Sequence, residues 1–136
     1  MEDNDLRLVR EMLSRDPELI EPADWTPPPL HCSVLWNRPD VATLFLEAGA
    51  NIERLDPDRQ TTPMRYAIMY CKLEMIQLLH SHGANTGPIR SGGSNAYELA
   101  LAGLRGDYEE FDDLPRRDAY EPVIRQLEQL GVANQT

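Results

Sequence analysis

The chain has 136 residues, 41% of them hydrophobic, which fits one domain with a modest core. Its formal net charge of −10 repels phosphate backbones, so nucleic acid is not an expected partner. No apolar run approaches the roughly 20 residues of a membrane helix, the opening Met1-Glu2-Asp3-Asn4-Asp5 is acidic where a secretory leader is basic, and two cysteines are too few for a disulfide framework; a reducing, cytoplasmic setting with no membrane contact is expected.

The first expected element is a helix around Asp5 to Arg15, where Leu8-Val9, Met12 and Leu13 recur at helical spacing and Asp16-Pro17 closes the run. Residues 1–24 hold eight acids against three arginines, while residues 25–101 are near neutral with seven acids and six bases. A short helix then opens at Pro29 and runs to about Leu35, followed by a turn at Asn37-Arg38-Pro39. A second helix carries Val41, Leu44 and Phe45 on one face and stops at Gly49, where a left-handed residue is wanted. The next stretch copies this one at a constant offset of 34: Pro29 falls on Pro63, Leu30 on Met64, Val41 on Met75, Leu44 on Leu78 and Gly49-Ala50-Asn51 on Gly83-Ala84-Asn85. Thr62 before Pro63 has the chemistry of an N-cap followed by proline at the first helical position.

Asn95-Ala96-Tyr97-Glu98-Leu99-Ala100 begins a third copy, and Val123, Leu127 and Gly131-Val132-Ala133-Asn134 supply its second helix and terminator. Between these halves lies extra chain, about 103–118, with six acids, three arginines and the aromatics Tyr108 and Phe111. Two readings of this segment stay open: a solvated loop pinned by its aromatics to the last helix pair, or an acidic, aromatic clasp for a basic partner. The expected organisation is a single domain with a capping half-repeat over 1–23, repeats over 24–56 and 57–89, and an interrupted repeat over 90–136. The initiating Met and capped ends favour a complete chain.

The openings Pro28-Pro29-Leu30-His31-Cys32-Ser33 and Thr62-Pro63-Met64-Arg65-Tyr66-Ala67, with the closing Gly-Ala-Asn elements, resemble the ankyrin repeat. The resemblance implies an all-α solenoid of stacked antiparallel helix pairs joined by β-turns, in which each pair needs a neighbour to cover its apolar stripe. It also implies that His31 hydrogen-bonds between neighbouring loops. This sequence departs from the family pattern at Asn37 and Cys71, which stand where glycine is usual, and at Arg65, which replaces histidine.

No catalytic or metal-binding constellation emerges. Ser91-Gly92-Gly93-Ser94 falls where the repeat needs a turn, and it follows no strand that would make it a phosphate cradle. His80 and His82 are two apart on a helix and point to different faces. The acidic insertion lacks the glycine and terminal glutamate of a helix-loop-helix calcium site. Neither a cofactor nor a metal is expected, and the chain is read as a non-enzyme.

The resemblance further implies that partners are met on the concave side, by residues flanking the repeat opening. Those positions are Asp24, Trp25, Leu35 and Trp36 in the first full repeat, Asp58, Arg59, Met69 and Tyr70 in the second, and Arg90 in the third; Tyr108 and Phe111 join them from the insertion. Large aromatics and arginine are what protein interfaces use as anchors. The alternative for each tryptophan is to fold back on Pro27, Pro28 and Pro29. The expected function is a protein-binding module, monomeric when free. A sharper alternative is a small acidic inhibitor or immunity-type protein that neutralises a basic toxin or enzyme, and a rival class is an enzyme with an unrecognised site.

Overall fold

A computed structural model describes residues 4–20, 27–89, 91–111 and 113–132 of the chain. Among these residues the regular structure is entirely helical, with seven α-helices, two short 3-10 turns and no strand. The chain divides into two compact units, Met1–Pro63 and Met64–Thr136.

The first unit holds α1 (Asn4–Arg15), a 3-10 turn (Pro17–Ile20), α2 (Pro29–Leu35) and α3 (Pro39–Glu47). Both α2 and α3 open on a proline, whose missing N–H coincides with a donor that no helix start can satisfy internally. α2 is buried from Leu30 through Val34 and packs on α3, which buries Ala42 and Leu44. α1 packs on α3 and buries Leu13.

The second unit holds α4 (Pro63–Met69, its first residue at the boundary), α5 (Leu73–Ser81), α6 (Ala96–Leu104) and α7 (Tyr120–Gln129). Met64, Ile68, Met75, Ile76, Leu79, Val123 and Leu127 are fully buried here, and α7 packs against both α5 and α6. A capping box starts α6: the Asn95 side chain accepts from the Glu98 N–H at 2.8 Å, and the Glu98 carboxylate accepts from the Asn95 N–H at 3.0 Å.

The first helices α2, α4 and α6 close in one way. Asn37 (φ 54°), Cys71 (φ 57°) and Gly106 (φ 90°) occupy the left-handed region. The residue after each sends its N–H back to the last turn: Arg38 to Ser33, Lys72 to Ala67 and Asp107 to Ala102. Asn37 and Cys71 therefore do the work of the family's glycine, and in the third copy a glycine stands there. α6 runs on through Leu104, two residues longer than α2 or α4, and the chain without a helical counterpart follows it, ending in the 3-10 turn Arg117–Ala119.

Tyr120, at the head of α7, organises this unit. Its ring is fully buried, its hydroxyl donates to the Met69 carbonyl, and its ring packs edge-to-face with that of Tyr108, centroids 5.8 Å apart at 61°. The ring lies directly on Gly103 of α6, where an added Cβ would come within 2.6 Å of three ring carbons. Since the ring is held on two sides, it has nowhere to move. Gly103→Ala is therefore expected to lower stability by about 1–3 kcal/mol through overpacking, although alanine is the better helix former by about 1 kcal/mol. Urea denaturation measures this; an unchanged or raised midpoint would show that the ring is free to shift.

Candidate functional site

Two side chains at equivalent positions, one in each unit, hold the turns that follow. His31 in α2 is fully buried, and its Nε2–H donates to the Thr61 carbonyl at 2.8 Å. The backbone N–H of Asp56 donates to the same oxygen at 2.9 Å. Buried Asp56 shapes the rest of the turn: its carboxylate accepts from the Asp58 N–H at 3.0 Å and its carbonyl from the Gln60 N–H at 2.7 Å. Asp58 and Arg59 stand exposed at the tip. Thirty-four residues after His31, Arg65 on α4 donates from Nη1 to the Ser94 carbonyl at 2.7 Å. The histidine role implied by the family resemblance is present, and Arg65, a departure in sequence, makes the equivalent bond with a longer arm.

Burial pushes the His31 pKa below its ordinary 6.5; the Thr61 hydrogen bond and the nearby Asp56 charge oppose the shift without cancelling it. The ring is thus a neutral structural donor. Cys71 is half-buried, and burial pushes its thiol up to about 11, away from thiolate chemistry. Cys32 is buried and its Sγ donates to the Pro27 carbonyl at 3.4 Å. His80 is half-buried and His82 exposed. Among the described residues there is no group of three or more His, Cys, Asp or Glu side chains able to hold a metal, and no helix long and apolar enough to cross a membrane.

The residues expected to meet a partner differ in their surroundings. Trp36, the residue after α2, is 66% exposed, with half-buried Leu35 beside it. Met69 is half-buried and lends its carbonyl to Tyr120. Tyr70 is half-buried, its ring edge-on to Tyr66 at 6.0 Å, and its hydroxyl donates to Asp113 of the insertion at 2.9 Å. Tyr108 is half-buried between Tyr120 and the Leu99 carbonyl, which its hydroxyl reaches at 3.0 Å. Phe111 is 49% exposed. Of the insertion's two aromatics, Tyr108 packs against the helices and Phe111 stands half exposed. Asp24, Trp25 and Arg90 lie outside the described residues.

Sequence reasoning missed three features. Tyr120 drew no notice, though a glycine inside the α6 pattern could have pointed to a ring above it, and Asp113 was read only as one of the insertion's acids and not as the acceptor of the Tyr70 hydroxyl. The third is an apolar cleft of about 370 Å³ in the first unit, walled by Val9, Met12 and Leu13 of α1, Val41 and Phe45 of α3, and Trp36.

A family model described as ankyrin repeats in three copies matches residues 1–90. The chain belongs to the ankyrin-repeat family, whose repeats are protein–protein interaction modules. It is 34% identical over 71 residues to the palmitoyltransferase ZDHHC13 of Homo sapiens, a match covering 52% of this chain and 11% of that protein. It is 35% identical over 71 residues to the B-cell lymphoma 3 protein homolog of Mus musculus, covering 52% and 16%, and 30% identical over 77 residues to the palmitoyltransferase Hip14 of Drosophila melanogaster, covering 57% and 12%. The chain thus spans a small fraction of the curated relatives it matches.

Because His31 is held neutral, the unfolded chain binds a proton that the folded chain resists once the pH falls below about 6.5. This group's contribution is therefore present above that pH and is lost progressively as pH drops toward the depressed folded value. Urea denaturation at pH 7.5 and 5.5 is expected to show a larger loss in the native chain than in His31→Gln, which at pH 7.5 is itself destabilised by about 1–3 kcal/mol. Equal pH dependence in the two chains would contradict a buried neutral imidazole.

Proposed function

We propose that this chain is a non-catalytic binding module that grips a protein partner through side chains at its helix ends and turn tips: Leu35, Trp36, Asp58, Arg59, Met69 and Tyr70, joined by Tyr108 and Phe111 and by Asp24, Trp25 and Arg90. The observation that carries the reading is Trp36, left 66% exposed at the end of a helix that is buried from Leu30 through Val34. Leaving a large aromatic in water is costly, and such side chains are the usual anchors of interfaces. Asp58 and Arg59 stand beside the residues that His31 and Asp56 fix, so their backbone is ordered before a partner arrives. That lowers the entropy lost on binding.

The net charge of −10 favours a basic partner, and a sharper reading follows from it: a small acidic protein that inhibits a basic toxin or enzyme in the cytoplasm. The activity in the names of the two palmitoyltransferases is not carried over, since this chain matches little more than a tenth of either.

Tagged protein used as bait in the source cell is expected to recover a stoichiometric partner, and the Trp36→Ala, Tyr70→Ala double variant to lose it while keeping its helical circular dichroism. Anchors of this kind contribute about 2 kcal/mol or more each, about thirtyfold in affinity. Normal recovery by the double variant would refute the contact surface. The basic-partner reading requires affinity to fall steeply between low and high salt, and a salt-insensitive complex would remove it.

A further inference from the structure

We propose that the apolar cleft of the first unit is a binding site for a small uncharged aliphatic molecule, a chain of about ten carbons with a neutral polar head such as an alcohol or ester. The inference goes beyond the binding-module reading and stands or falls without it.

Burial along the cleft is graded as in a pocket and not as on a flat face. Leu13 of α1 and Cys32 of α2, each 8% exposed, are its floor. Val9, Val41 and Phe45 are half-buried along its sides, and Met12 and Trp36, 48% and 66% exposed, stand at its mouth. Because α3 packs on both α1 and α2, the fold sets these walls before anything binds. A protein interface takes about 800 Å² from each partner. A hollow of about 370 Å³ instead falls in the range of small-molecule sites, about 300–1,000 Å³. The unbranched thioether of Met12 and the ring of Trp36 suit an aliphatic chain that enters between them.

Polarity selects the class of ligand. The Cys32 Sγ is committed to the Pro27 carbonyl at 3.4 Å. Among the described lining residues Arg38 is the one charged side chain, and Asp40 holds it through Nε and Nη2 at 3.1 Å each, so opposite charges stand together there. A carboxylate head would lie beside Asp40, and a quaternary ammonium beside Arg38. Either would give up water for a place whose charge is already balanced, whereas a hydroxyl or ester gives up far less.

The test uses the full chain and three probes that share one decyl tail: 1-decanol, decanoate and decyltrimethylammonium, each below its micelle concentration. By isothermal titration calorimetry 1-decanol is expected to saturate one site per chain and to bind at least tenfold more tightly than either charged probe. Amide shifts in a nitrogen-15 NMR titration are expected on Val9, Met12, Val41 and Phe45. Val41→Phe, which fills the cleft, and Met12→Gln, which makes its mouth polar, are each expected to weaken decanol at least fivefold, and Tyr70→Ala to leave it unchanged. Circular dichroism and the urea midpoint show whether each variant keeps its fold; should Val41→Phe unfold, Met12→Gln, at an exposed position, decides the matter. Binding without saturation, shifts spread over both units, or indifference to Met12→Gln would overturn the proposal. Tighter binding of decanoate or of decyltrimethylammonium would overturn the neutral head group, and a dimer of the chain abolished by Met12→Gln would make the cleft a contact between copies instead.

Discussion

The arrangement depends on a side chain that leaves a first helix to hold the backbone of a turn about thirty residues later. His31 does this for Thr61 and Arg65 for Ser94. Helices of seven to twelve residues do not persist alone in water, so each must be placed against a neighbour before its apolar face gains anything from burial. A bond between a first helix and a later turn of the same unit holds that turn in place. It works only if the spacing between helix and turn is constant, and this ties the periodicity of the sequence to the geometry of the surface. The two braces differ in chemistry: the imidazole is fully buried and its pKa is lowered by that burial, whereas the guanidinium spans the gap half-buried.

The third copy shows how much irregularity this design absorbs. An acidic segment interrupts it, yet the segment is bound to the helices it follows. Tyr108 packs on Tyr120 and bonds to Leu99, and Asp113 takes the hydroxyl of Tyr70. Tyr120 in turn reaches back to Met69 and rests on Gly103. Met69 and Tyr70, at the end of α4, are therefore partly engaged by their own chain. A partner contacting them would meet the insertion as well, so the insertion belongs to the presentation of this surface and not only to its periphery.

Much of the fold was legible in the sequence because it is carried by repetition. Proline at Pro29 and Pro63, the i, i+3, i+4 stripes and the closing glycines each recur at one offset, and the helix limits follow from them. The exposure of Trp36 was legible too, as a large aromatic at a position flanking the repeat opening. What escaped depends on contacts that no period encodes. Tyr120 is one residue whose role exists only because Gly103, Met69 and Tyr108 converge on it. Arg65 was seen as a departure from histidine because sequence comparison weighs identity, while the bond it makes depends on reach and on an N–H donor. The cleft beside α1 depends on how Val9, Met12, Leu13, Val41, Phe45 and Trp36 come together in space, which no period encodes.

The perturbed groups indicate what kind of work this surface does. A residue that performs chemistry at neutral pH needs access to substrate and a pKa moved toward the working range. Here burial moves His31 down while it is locked to a carbonyl, and moves Cys71 up to about 11 and Tyr120 further still while both sit against each other. Each shift favours the uncharged form of its group. Asp58 and Arg59 at the turn tip are exposed, as are Arg7, Arg10, Glu11 and Arg15 on α1.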